Sequence, residues 1–149
     1  MLDTIFEVVR IKQEIREVES EYALFQIVGP HDAHTVSHQL IGEEDREVFL
    51  VMCLNTKNRI TAIHRCHVGS LNSSLVSPRE VFKSAILNNS ASIIISHNHP
   101  ANSTQPSKED LEVTKKLKEC GILLGIEVLD HIIVAPDGNF KSLREEGYM

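Results

Sequence analysis

The chain carries little positive charge: 15 Lys and Arg stand against 21 Asp and Glu, a formal net charge of −6, and no basic cluster with interleaved aromatics occurs. Neutralisation of phosphates supplies most non-specific affinity for nucleic acids, so strong non-specific DNA binding is not expected. Long apolar runs are also missing. No stretch approaches the ~20 residues that a membrane helix requires, and the start shows no charged-then-apolar signal pattern, which predicts a cytoplasmic protein with no membrane contact. Cysteine is scarce, and Cys53, Cys66 and Cys120 are widely spaced with no Cys-x-x-Cys pair. Buried reduced thiols are expected rather than disulfides. Two zinc signatures are absent as well, the His-Glu-x-x-His of thermolysin-like sites and the His-x-Glu with Pro-Cys-x-x-Cys of nucleoside deaminases. With 149 residues, 42% of them hydrophobic, the chain fits one compact domain over 1–149, in which 1–41 form a variable N-terminal part.

What is there is concentrated in Ser96-His97-Asn98-His99-Pro100 and, shortly after, Ser107-Lys108-Glu109-Asp110. The run Ala91-Ser92-Ile93-Ile94-Ile95-Ser96 has the short, β-branched character of a buried strand, on which residues two apart share a face. His97 and His99 therefore project together if the strand continues that far. Pro100 and the polar stretch to Gln105 break regular structure, and Pro106-Ser107 opens an amphipathic helix whose first turn carries Asp110 back toward the imidazoles. Two His and one Asp leave a coordination position free, which a hydrolytic zinc needs for water and a structural zinc does not. A plainer reading exists: Ser107-x-x-Asp110 is close to a helix capping box. The conjunction of both His, the Pro and the Ser-x-x-Asp in this order favours the metal site.

In its spacing His97-x-His99-Pro100-x6-Ser107-x-x-Asp110 resembles the metal motif of the JAB/MPN (JAMM) metalloproteases. The wider text, from Glu47-Val48-Phe49 through Pro78-Arg79-Glu80-Val81-Phe82 to Leu129-Asp130-His131-Ile132-Ile133, is similar to the RadC-like branch, which bears an old DNA-repair label. In that branch the His-Pro usually continues as Ser-Gly, whereas Ala101-Asn102 follows here. Full-length relatives carry a helix-hairpin-helix domain that nothing here resembles, so a short, stand-alone version is expected. The resemblance implies an α/β/α sandwich with a mixed sheet and cytidine deaminase-like layering. It implies one Zn2+ per chain, and a general base that falls by position on Glu47. An acid at the mouth of the apolar strand Val48-Phe49-Leu50-Val51 is also well placed on its own account to face a neighbouring strand end. Glu43 and Glu44 compete with it from a charge-rich loop of the kind that is usually solvated.

Along the chain, Ile5 to Lys12 is expected as a strand, although Ile5, Val8, Ile11 and Ile15 also fit a helix. His31 to Ile41 is predicted as a helix ending at Gly42, and Glu47 to Leu54 with Ile60 to Val68 as a hairpin around Asn55 to Asn58. Ser77 as N-cap, Pro78 and Glu80 launch a second helix, and Lys108 to Cys120 a third, closed by Gly121. Leu123 to Leu129 and His131 to Ala135 are expected as separate strands, with an Asp137-Gly138 turn before Phe140. Three other histidine settings carry weight. His64 and Cys66 share a strand face but have no further ligand pair nearby. His31, His34 and His38 share a helix face of the kind that usually proves a solvated surface. His131 is expected as a core or supporting histidine, with direct metal ligation as the alternative.

These residues together predict a zinc hydrolase that cleaves a peptide or isopeptide amide. Zinc held by His97, His99 and Asp110 would activate water, Glu47 would take its proton, and Ser107 would donate to the tetrahedral oxyanion. The partner is then a peptide or protein substrate, and the resemblance to deubiquitinating relatives points to an isopeptide of lysine or the tail of a modifier protein. Two rivals use the same residues: an iron enzyme with two His and one carboxylate, and a non-catalytic or DNA-processing accessory protein that retains the metal.

Overall fold

In the computed structural model, residues 3–17, 25–70 and 76–149 are described. A five-stranded sheet runs in the order β2-β1-β3-β4-β5, made of β1 (Val48–Leu54), β2 (Ile60–Val68), β3 (Ser92–Asn98), β4 (Glu127–Val134) and β5 (Phe140–Ser142). Only β3 and β4 pair in parallel, and the other neighbours are antiparallel. That is the expected mixed sheet.

The period of two along β1 sorts its side chains into two cores. Phe49, Val51 and Cys53 pack with Ile93 and Ile95 of β3 under α2 (Pro78–Leu87) and α3 (Lys108–Leu124), through Val81, Phe82, Val113 and Leu117. Leu50, Met52 and Leu54 face the other way, with Ile94, Ile132 and Val134, against Ala33, Val36 and Ile41 of α1 (Pro30–Ile41). A sheet with both faces covered by helices is an α/β/α sandwich, and it explains why all seven residues of β1 and of β3 are buried.

Two local expectations are corrected. The third helix does not stop at Gly121 but runs to Leu124 and closes at Gly125, whose φ of 71° is the left-handed conformation of a helix end. Gly121 serves close packing instead, since a Cβ there would lie 2.5 Å from the carbonyl oxygen of Ile126. The two strands foreseen on either side of Asp130 are one. Ile93 pairs with Val128 but Ile94 with Asp130, so Leu129 is an extra residue in β4, a bulge rather than a break. Ser77 is the N-cap of α2 as expected, with extended backbone and Pro78 after it, although its side chain makes no cap hydrogen bond.

Residues 3–17 form no strand. Their stretch passes the α2 and α3 side of the molecule, where Gln13 donates to the Ser84 carbonyl at 3.3 Å and Ile11 borders a groove with Phe82, Ile86 and Leu123. Beside these helices its backbone meets no strand to pair with, and β propensity alone does not make a strand.

Candidate metal centre

Strand β3 delivers the first ligand candidate. His97 continues the face of Ile93 and Ile95 toward α3 and is fully buried. His99 lies just past the strand, yet its backbone N–H donates to Val134 O at 2.8 Å, so the parallel ladder carries it onto the same face. The two Nε2 atoms stand 2.9 Å apart.

Helix α3 supplies the carboxylate. Asp110 Oδ1 lies 3.3 Å from His97 Nε2, and Oδ2 lies 3.2 Å from His99 Nε2. Asp110 is held there by the capping box: its backbone N–H donates to Ser107 Oγ at 3.0 Å, and Ser107 N–H donates to Asp110 Oδ2 at 2.8 Å. The capping and ligand readings of Ser107-x-x-Asp110 thus describe one geometry, in which the cap aims the carboxylate. Ser107 itself is exposed, and because its Oγ accepts from Asp110, its O–H is left over to donate.

Glu47 closes the group from the entry of β1. Its Oε1 is 4.0 Å from His99 Nε2, and ligand atoms of Glu47, His97 and His99 lie within 4.8 Å of one another. Of its competitors, Glu44 is engaged with Arg65 at 3.8 Å and Glu43 is exposed. The signal for Glu47 was its position at the strand mouth. The clamp that holds it there was missed in the sequence. Asn98, buried between the two His, accepts from Val48 N–H at 2.7 Å and donates to the carbonyls of Arg46 at 2.9 Å and Glu44 at 3.2 Å.

The proline loop shows why Ala101-Asn102 can follow His99-Pro100. Asn102 has a φ of 58°. Apart from glycine, Asn is among the residues that tolerate this left-handed conformation best, so the turn is made here without a glycine.

Electrostatics agree with the geometry. Burial opposes ionisation of Asp110, but His97 and His99 beside it, and the Ser107 N–H, hold its carboxyl far below the usual carboxylate range. Burial also works against a charged His99, yet Asp110, the Ser103 carbonyl and Glu47 raise it above an ordinary histidine. His99 Nδ1 donates to Ser103 O at 2.7 Å, which turns Nε2 toward Asp110 and His97. Two imidazole nitrogens and a carboxylate this close need something positive between them, a proton or a metal cation. The donor set of two His and one carboxylate fits a divalent zinc-type ion.

Elsewhere among the described residues the histidines make no such group. His64 Nδ1 meets Ser84 Oγ at 3.2 Å, and Cys66 is pushed up to about 11, first by burial and then by Glu80. All three cysteines are free. The α1 stripe is half-buried rather than solvated at its centre, for His34 stacks on Phe140 with ring centroids 4.2 Å apart. His131 has its Nε2 2.7 Å from His97 Nδ1, behind the site rather than in it. No helix of the described residues is long and apolar enough to cross a membrane.

The sequence profile of the RadC-like JAB domain matches residues 27–148. A UPF0758 protein of Methanosarcina barkeri is 47% identical over 124 residues, covering 83% of this chain and 54% of its own. One from Caldanaerobacter subterraneus subsp. tengcongensis is 48% identical over 124 residues, covering 83% of this chain and 53% of its own. A UPF0758 protein of Bacillus cereus is 47% identical over 135 residues, with 90% and 60% covered. The chain thus spans little more than half the length of these curated relatives.

Proposed function

The chain belongs to the RadC-like JAB domain family, and from that premise we propose that it is a zinc-dependent hydrolase of peptide or isopeptide amide bonds. The observation that carries the reading is the meeting of His97 Nε2, His99 Nε2 and Asp110 at 2.9 to 3.3 Å, with a second carboxylate, Glu47, held back at 4.0 Å from His99. The nearer three groups would hold the ion and the farther one would be the base. When bound, zinc supplies Lewis acidity, bringing the pKa of a coordinated water to about 7 and polarising a carbonyl.

The remaining work falls to the chain. Glu47 takes a proton from the attacking water at its carboxylate and returns it to the leaving amine, a role worth typically ~10²–10⁴ in rate. Its partial exposure, 25% for the side chain, leaves it open to a substrate while Asn98 fixes its backbone neighbours. Ser107 donates its free O–H to the developing oxyanion, since its lone pair is engaged by Asp110 N–H. His97 is sealed from solvent, so water reaches the site from the Glu47 and His99 side. The substrate class is a peptide or protein, with an isopeptide of lysine or a modifier tail as the preferred form.

The test is to load the purified protein with zinc and screen lysine-linked and linear peptide libraries beside Glu47→Gln. The variant should keep zinc and fold while losing nearly all hydrolysis, because an amide of similar shape cannot take the proton. Loss of metal would make Glu47 a ligand. No turnover by the wild type on any library would favour the accessory role, and iron as the bound metal would favour the iron enzyme with two His and one carboxylate.

A further inference from the structure

Behind His97 a line of hydrogen bonds leads away from the site and returns to it. His97 Nδ1 is 2.7 Å from His131 Nε2, His131 Nδ1 is 2.5 Å from Thr114 Oγ1, and Thr114 Oγ1 is 2.7 Å from the backbone carbonyl of Asp110. Both histidines and Thr114 are at most 1% exposed. Because Asp110 also meets His97 Nε2 through its side chain, the line closes into a ring that joins β3, β4 and α3.

Its direction follows from one end. A carbonyl oxygen can only accept, so the single hydroxyl proton of Thr114 points at Asp110 O, an ordinary bond to the residue four back in a helix. Thr114 Oγ1 must then accept from His131, which places the His131 proton on Nδ1. The His131 ring nitrogens meet only His97 and Thr114, with no carboxylate on either, and the ring sits in the interior, where a neutral imidazole with one donor and one acceptor is the favoured form. Its Nε2 accordingly accepts, and the donor is His97 Nδ1. The lone pair of His97 Nε2 is left facing His99 and Asp110.

We infer that Thr114 and His131 are positioning residues that lock His97 in the tautomer able to bind a metal, and that the same ring ties the approach of His97 to that of Asp110. The inference rests on the metal-site reading for its purpose, but the tautomer itself belongs to the metal-free chain. The bulge at Leu129 is what makes the ring possible. Val128 faces the α2 and α3 core, and without the extra residue His131 would point to the opposite side of the sheet.

Long-range 1H–15N spectra of the metal-free protein read the tautomers directly. His97 and His131 should both carry the proton on Nδ1. Thr114→Val, which keeps the shape and removes the acceptor, should release His131 and shift the His97 proton toward Nε2. It should also weaken zinc binding about 10- to 100-fold in competition with a chromogenic chelator. Thr114→Ser, which restores the hydroxyl, should restore both. A wild-type spectrum with His97 protonated on Nε2 would overturn the inference, and so would Thr114→Val with unchanged tautomer and affinity. Should the valine variant fail to fold, the wild-type spectrum decides alone. A protein with the expected tautomers that binds no zinc would instead defeat the metal reading and leave the ring standing.

Discussion

Asn98 accepts a hydrogen bond from the backbone N–H of Val48 at 2.7 Å, from a position between the two site histidines. One side chain thereby sets the spacing between the strand that bears His97 and the segment that bears Glu47. Asn98→Ala leaves the buried Val48 N–H without a partner, so a destabilisation of about 1–3 kcal/mol is expected in chemical denaturation. Hydrolysis should fall by more than zinc content does, because the clamp acts on the Glu47 segment. Equal loss of both would show that the clamp serves the metal ligands instead.

The protein purified without chelator should contain about one zinc per chain, and His97→Ala or His99→Ala should remove most of it, since each takes away one of the three proposed ligands. Elemental analysis of the three proteins checks this. Unchanged zinc in both variants would place the metal elsewhere, with His64 and Cys66 the next residues to replace.

Stability of the metal-free protein should peak near pH 6.5, the ordinary histidine value. His99 is raised in the fold, so its contribution is full below that value and is lost as pH climbs through its folded pKa. His131 and His34 are lowered, first by burial, so their contributions are lost as pH drops below the ordinary value. Asp110 is depressed and its contribution disappears only in strong acid. Thermal melts of chelator-treated protein between about pH 5 and about pH 8.5 test the balance, and a steady rise through the alkaline side would contradict the raised His99. Added zinc should stabilise more as pH rises, because it displaces the His99 proton.

Duplex DNA should bind weakly, no tighter than ~10⁻⁴ M at physiological salt, given the net charge of −6. Titration of labelled duplex and single-stranded DNA at ~0.15 M salt measures it. Submicromolar affinity with a steep salt slope would promote the DNA-accessory reading while leaving the metal ligands untouched.

The sequence by itself determined the elements whose signals are local. Alternating and β-branched runs marked β1, β2 and β3, Pro30 and Pro78 marked helix starts, and the spacing of His97, His99, Ser107 and Asp110 named the groups that the structure brings to one point. Such patterns survive translation into structure because period and capping act within a few residues.

Tertiary structure decided what depends on partners far along the chain. Gly121 looked like a helix end, yet it is the place where α3 comes close enough to touch the Ile126 carbonyl. Asp130 looked like a strand break, yet the pairing of β4 with β3 absorbs Leu129 as a bulge and turns His131 toward His97. Residues 3–17 are rich in β-branched side chains, yet they run beside α2 and α3, where no strand meets them. Glu47, Glu43 and Glu44 could be ranked but not separated until Asn98 and Arg65 were seen to hold the segment and draw Glu44 away. A residue's chemistry is written in its type, but its direction is set by the strand or helix that packs against it, and that choice is made by the whole core.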